Sequence, residues 1–241
     1  MSGSLEEVLP ALQPGITVVT PTIPPRAIIQ ARQRESVLAS MKYLGDRRSE
    51  FLARFPGFIM RYLAVPDMTH AGAAKTRHAG LMQVDTEWVA FLDDDDEMLP
   101  QHLYALFSAA LEHDADYVWS RFQICYPGGE RLDGPAFLGE KAFSQWSDDD
   151  PCQTTITTLV RTELAREAGG FQQFDEDSWT PGGEMKLIDG QRRGEDHEFT
   201  VRCRAKGGVF RHVPEVTWLW HHWGVGARGV PGNTSGMPDR W

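Results

Sequence analysis

Cysteine is scarce in this chain: Cys125, Cys152 and Cys203 are odd in number, far apart and free of any CxxC spacing. That excludes a disulfide framework and a thiolate zinc site, and it fits a reducing compartment. Long apolar runs are missing as well. No stretch approaches the ~18 apolar residues of a membrane-spanning helix. Residues 1–15 have neither the basic start nor the apolar run of a secretory leader. A soluble, cytoplasmic protein with no transmembrane segment is the expectation. Positive charge is also short, 24 Lys and Arg against 34 Asp and Glu, a formal net charge of -10. Phosphate backbones are recruited by basic surfaces, so no nucleic-acid partner is expected. Internal repeats and low-complexity tracts are absent too.

What the chain does have is enough length, 241 residues, to bury one sizeable core as a single α/β domain. Its hydrophobic fraction of 41% and charged fraction of 24% exclude disordered and fibrous architectures. The run Ile16-Thr17-Val18-Val19-Thr20 is compact, β-branched and stopped by Pro21, the pattern of a buried first strand. Leu5, Val8, Leu9 and Leu12 give the residues before it a helical spacing. Pro24 and Pro25 precede a helix that carries Ile28, Ile29, Val37, Leu38 and Met41 and ends near Gly45, proline being suited to a first turn. A second strand over 58–65 closes at Pro66-Asp67, and a helix covers 73–83. Trp88-Val89-Ala90-Phe91-Leu92 is a third strand that runs into Asp93-Asp94-Asp95-Asp96-Glu97, after which Pro100 opens a helix through Leu103, Leu106, Phe107 and Leu111. The second half is less regular. Its pattern predicts a strand or two over 117–126, a strand over 154–160 and a short helix over 162–168 ended by Gly169-Gly170. A helix over 196–204 and strands over 209–213 and 217–221 follow. Residues 127–151 are Gly-, Pro- and Asp-rich, and 224–241 read as a tail or lid.

The acidic run is the strongest chemical signal. Carboxylates at the end of a buried strand stand where open α/β sheets place their ligands. Like charges ~6 Å apart at an effective dielectric of ~20 cost on the order of 3 kcal/mol per pair, so something must compensate. Mg2+ or Mn2+ binds through one or two carboxylates and fills its shell with water and phosphate oxygens. Such an ion would neutralise charge on a departing diphosphate. In an extended segment Asp93 and Asp95 share a face. The plainer reading is a solvated acidic turn favoured by the dipole of the helix at Pro100.

The stretch Gly72-Ala73-Ala74-Lys75-Thr76-Arg77-His78-Ala79-Gly80-Leu81, then Glu87-Trp88-Val89-Ala90-Phe91-Leu92-Asp93-Asp94-Asp95-Asp96, then Pro100, resembles the family 2 glycosyltransferases. Their pattern is a Gly-x-x-x-x-Arg-Asn-like helix start before a strand ending in Asp-x-Asp-Asp, with proline four residues beyond the last Asp. His78 stands here where Asn is common. Residues 16–22, the 159–171 segment with its Gly-Gly-Phe turn, and Gly194-Glu195-Asp196 extend the resemblance along most of the chain in the same order. It implies a GT-A-like fold, a three-layer α/β/α sandwich with a central mixed, mainly parallel sheet. It also implies one catalytic domain over 1–241, with a nucleotide-sugar-binding half at 16–126, an acceptor-binding half at 127–223 and the tail or lid at 224–241.

The resemblance implies an activity as well: transfer of a sugar from a nucleoside-diphosphate donor, UDP above others, with Mn2+ or Mg2+, to a glycan, protein or lipid acceptor. Inversion follows, with Asp196 as general base beside Glu195. Asp95 is then the direct metal ligand, Asp93 and Asp94 serve ribose or metal-bound water, and Asp96 and Glu97 support the next helix start. Arg77 faces the donor, where a guanidinium grips phosphate oxygens in a bidentate way. Thr20, Pro21 and Thr22 meet the nucleobase, and Asp67 contacts base or ribose. In Trp220-His221-His222-Trp223, His222 completes the metal shell, while His221 and Trp223, with Trp179 and Trp146, face sugar or acceptor. Each residue also has a plainer role: a solvated arginine, an ordinary strand exit, an N-cap aspartate, a core tryptophan. Two other functions use the same features. A nucleotidyltransferase wants a Gly-rich basic loop after the first strand, which residues 21–26 do not supply. A non-catalytic sugar-nucleotide-binding module, or a calcium-binding surface protein built on acidic turns, would bind without turnover.

Overall fold

Strand and helix signals that alternate along the chain demand a sheet covered on both faces, and that is the arrangement found. The computed structural model describes residues 11–23, 27–47, 54–69, 71–126, 129–133, 157–171, 187–188, 191–192 and 195–221. The first half runs β1 (Gln13–Thr22), α1 (Ala27–Asp46), β2 (Ile59–Pro66), α2 (Ala73–Gln83), β3 (Thr86–Phe91), β4 (Glu97–Met98) and α3 (His102–Glu112). The second half adds β5 (Tyr117–Cys125), β6 (Arg131–Asp133), β7 (Thr158–Arg161), α4 (Thr162–Glu167), β8 (Leu187–Ile188), β9 (Gln191–Arg192), α5 (Glu195–Ala205) and β10 (Phe210–His221). An eight-stranded sheet has the order β2-β1-β3-β7-β5-β10-β4, with β6 paired to β5, and β8 pairs with β9 apart from it. β2, β1, β3, β5 and β10 point one way, and β7, β4 and β6 oppose them. The sheet is therefore mixed and mainly parallel.

Side chains alternate across a strand, and both faces of this sheet are buried, so the strands read as unbroken apolar runs. Ile16, Val18, Trp88, Ala90 and Leu92 join Val37, Leu44, Leu103 and Phe107 beneath α1 and α3. Val19, Val89 and Phe91 join Leu81, Phe171 and Phe199 on the other face, beneath α2, α4 and α5. Two helix–sheet contacts depend on glycine. A Cβ on Gly80 would lie 2.5 Å from Val19 Cγ1 and 3.0 Å from Val65 Cγ2, so α2 rests directly on β1 and β2. Gly170 has φ of 59°, and a Cβ there would meet His78 Nδ1 at 2.4 Å, which fixes the turn after α4 against α2.

Most elements fall within a few residues of their expected bounds, with two instructive differences. The helix expected from Pro100 begins at His102, because Glu97 and Met98 instead pair with β10 and the Leu99 N–H donates to the Thr217 carbonyl at 2.8 Å. The strands expected over 209–213 and 217–221 are one strand, irregular in register between Val213 and Trp218, where Pro214 and Glu215 are exposed. Proline cannot donate to a ladder, and a bulge accommodates it. α3 is tied to the sheet by a buried polar chain: His102 Nδ1 lies 2.6 Å from Thr217 Oγ1, which lies 2.5 Å from Ser120 Oγ. Burial lowers the His102 imidazole to about 3 despite the Thr217 contact, so the ring is neutral. Among the described residues no helix is long and apolar enough to cross a membrane.

Candidate active site

The chain leaving β3 stays beside β1 for one more residue, the Leu92 N–H donating to the Val19 carbonyl, and then turns as the Asp96 N–H donates to the Asp93 carbonyl at 3.2 Å. This turn replaces the extended segment in which Asp93 and Asp95 alone would share a face. It brings carboxylate oxygens of Asp93, Asp95 and Asp96 within 4.8 Å of one another. Asp94 departs from the group: its carboxylate is buried and accepts the Ile23 N–H at 3.2 Å, pinning the end of β1. Asp96 and Glu97 do not support the start of α3 as expected. Asp96 belongs to the acidic group, is 3% exposed and accepts the His221 N–H at 2.9 Å. Glu97 lies in β4, where one oxygen meets Arg32 Nε at 2.7 Å and His221 Nε2 at 2.9 Å.

Burial pushes the Asp96 carboxyl well above the usual carboxylate range, and the charges of Asp95 and Asp93 push it further. The Glu97 carboxyl is instead held below that range by His221, with Arg32 assisting against burial. The acidic group thus gathers three carboxylates, of which Asp93 is paired with Arg77. An all-oxygen donor set of this kind fits a hard divalent cation, and Asp93, Asp95 and Asp96 are the residues that could hold one.

Arg77 lies at the centre of the site. Its side chain is 2% exposed, Nη2 donates to Asp93 Oδ1 at 2.6 Å, and Nη1 donates to Glu195 Oε1 and Asp196 Oδ1 at 3.2 Å each. Burial alone would lower the guanidinium, but Asp93, Asp196 and Glu195 outweigh it and raise it above its ordinary value. The cation also sits 5.6 Å from the centre of the Phe171 ring. Phe171 stacks on Phe199 at 4.4 Å and meets Phe91 edge-on at 4.9 Å. Glu195 and Asp196 occupy the first turn of α5, where carboxylates suit the helix dipole. Burial raises the Asp196 carboxyl well above the usual range. Arg77 pulls it down, and Glu195 and Asp93 push it up again.

Other expected contacts fall nearby, most with polar groups already engaged, while the buried Thr22 hydroxyl has no hydrogen-bond partner among the described residues. Thr20 is fully buried, its hydroxyl accepting from Gln33 Nε2 at 2.8 Å, and Gln33 Oε1 accepts from the Tyr62 hydroxyl at 2.9 Å. Pro21 and Thr22 are buried at the end of β1, where the Thr22 carbonyl accepts the Asp67 N–H at 2.8 Å. The two Asp67 oxygens accept the Ala71 and Gly72 N–H groups, both at 2.8 Å, and so shape the approach to α2. His221 lies against Asp96 and Glu97. His222, Trp146, Trp179, Trp223 and Gly194 fall outside the described residues. Sequence reasoning missed Gln33, and it named Phe171 only within the Gly-Gly-Phe turn, without a role. Extending the inward stripe of Val37, Met41 and Leu44 back one turn lands on Gln33, a polar residue at a core position.

Residues 64–167 match a family model described as glycosyl transferase family 2. The crystal structure of S. aureus TarS 1–349 is similar, with 13% identity and a TM-score of 0.52 over 86% of this chain and 60% of that one. TarS 1–349 in complex with UDP-GlcNAc matches with 13% identity and a TM-score of 0.54, over 86% and 58% of the two chains. The UDP complex gives 13%, 0.53, 86% and 60%. The chain therefore spans less than two thirds of the length of these structures, and at this identity the likeness establishes the GT-A-like α/β fold. No curated protein matches the chain in sequence.

Proposed function

We propose that this chain, whose residues 64–167 match the glycosyl transferase family 2 model, moves a sugar from a nucleoside-diphosphate donor to an acceptor hydroxyl with Mn2+ or Mg2+. One observation carries the reading: the acidic turn after β3 and the Asp196 carboxylate flank a single buried guanidinium, so a cation-binding group and a candidate base share one site. Asp93, Asp95 and Asp96 would hold the cation, whose chemistry there is to neutralise charge gathering on the departing diphosphate. Asp196 would take the acceptor proton. A hydroxyl is a poor nucleophile until that proton leaves as attack proceeds, and a carboxyl raised by burial is a stronger base than an exposed one. Attack by a hydroxyl so activated, from the side opposite the diphosphate, inverts the sugar centre. UDP is the preferred nucleotide, supported by the fold shared with TarS, which has been crystallised with UDP-GlcNAc and with UDP. A glycan, protein or lipid supplies the hydroxyl. A cytoplasmic location belongs to the same reading, supported by the free, buried Cys125 and Cys203.

UDP release from a panel of UDP-sugars, in Mn2+ and without acceptor, tests the proposal. Wild-type protein is expected to consume at least one donor slowly and to stop on chelation. Asp196→Asn should lower that rate by about 10²-fold or more while UDP–Mn2+ affinity stays within about threefold. Binding of UDP with no donor consumed would reduce the protein to a binding module. Undiminished turnover in Asp196→Asn would remove this carboxylate from the chemistry.

A further inference from the structure

We infer that Arg77 is a positioning residue that seats the base, and that it does not grip the donor diphosphate. The inference rests on the reading of Asp196 as the base. A guanidinium that binds phosphate must offer its N–H groups and a net positive charge to the cleft. In Arg77 both terminal nitrogens already donate to carboxylates, the remaining Nε–H is buried without a hydrogen-bond partner among the described residues, and one cation faces Asp93, Glu195 and Asp196 together. Its positive charge is thus already shared among three carboxylates.

The same contacts describe a clamp. Arg77 arises on α2, Asp93 follows β3, and Glu195 and Asp196 open α5, so one side chain joins three elements that the sheet ladder does not connect directly. The clamp is backed on its face by Phe171, whose ring stacks on Phe199, a residue one turn along α5 from Glu195. Ion pair and aromatic stack therefore hold the same helical turn. Their joint effect is to fix the distance and direction from the acidic turn to the Asp196 carboxylate. Misplacing a reacting group by ~1 Å costs on the order of 10²-fold in rate without a matching loss of binding.

Arg77→Lys and Phe171→Leu, each alone and in the Asp196→Asn background, separate the two roles for Arg77. The readouts are UDP binding with Mn2+ by calorimetry, and hydrolysis of whichever UDP-sugar the wild type consumes. Arg77→Lys is expected to keep UDP affinity within about threefold and to lose about 100-fold in hydrolysis rate at saturating donor. In the Asp196→Asn background it should cost nothing further, because its effect passes through that residue. Phe171→Leu should show the same pattern at roughly three- to tenfold, and it carries the test if Arg77→Lys fails to fold. UDP affinity weakened tenfold or more, or equal losses in both backgrounds, would overturn the inference and return Arg77 to the donor. If Asp196→Asn alone leaves hydrolysis intact, the base assignment has failed, and that result is read before any Arg77 variant is interpreted.

Discussion

Asp96 carries its carboxyl below the surface beside Asp93 and Asp95, in a turn where Arg77 contacts Asp93. Its proton affinity is raised in the fold, first by burial and then by Asp95 and Asp93. The folded state therefore binds the proton more tightly than the unfolded chain does, and stability falls as pH climbs from the ordinary carboxylate range through the raised value. Asp96→Asn removes that penalty while its side-chain oxygen can still accept the His221 N–H. Without metal, the variant should melt higher than wild type at pH 7, by about 2–4 °C for each kcal/mol relieved. The advantage should vanish near pH 4, about where the unfolded carboxyl itself titrates. Mn2+ affinity should drop by roughly tenfold in the same protein, since one of three oxygen donors has lost its charge. Melting curves at the two pH values and a metal titration check all three statements. A lower melting point at pH 7 would mean that the carboxylate has a partner stronger than these contacts provide.

At the scale of elements, α2 is the member whose placement matters most, because it carries Arg77. Its seat depends on the missing side chain of Gly80, which lets the helix backbone approach Val19 and Val65. Gly80→Ala should cost about 1–3 kcal/mol by overpacking, with Tm falling about 2–4 °C per kcal/mol, and hydrolysis should fall with it as Arg77 is lifted from Asp93. Gly170→Ala faces two penalties, the positive φ and the His78 ring, and should lose at least as much stability. Thermal melts of the two variants beside donor hydrolysis are the measurement. An unchanged melting point for Gly80→Ala would show that α2 has slack. α2 itself was readable to the residue, its bounds 73–83 matching expectation, because a glycine start and a helical composition are local signals. β4 was not readable: two residues, Glu97 and Met98, become a strand only because Trp218 and Leu219 of β10 lie alongside.

Across the whole molecule, the strand ends converge. Asp67 is tied to the end of β1 through Thr22, Asp94 to Ile23, and Asp96 to the end of β10 through His221. A ligand bound there touches several elements at once and must stabilise the fold as a unit. With UDP and Mn2+ together at a hundredfold over the dissociation constant, mass action gives about 2.7 kcal/mol. That corresponds to a rise in Tm of roughly 5–10 °C for a chain of this size. Asp95→Ala should fold but show no rise with Mn2+ and UDP. A full rise in that variant would place the cation elsewhere.

Composition and periodicity determined the α/β class, the buried strand and the acidic run with Asp93 and Asp95, since each is a property of neighbours along the chain, while the candidacy of Arg77 and Asp196 came from the resemblance of their motifs to the family 2 glycosyltransferases. The partners of those charges lay beyond such reasoning. Arg77 meets Glu195 and Asp196 across 118 and 119 residues, and His221 meets Asp96 across 125. Coulomb energy follows distance through space, and only the pairing of β1 with β3 and of β10 with β4 and β5 sets those distances. The tertiary structure therefore decided that Asp94 turns away, that Asp96 joins the acidic group, and that the arginine faces carboxylates.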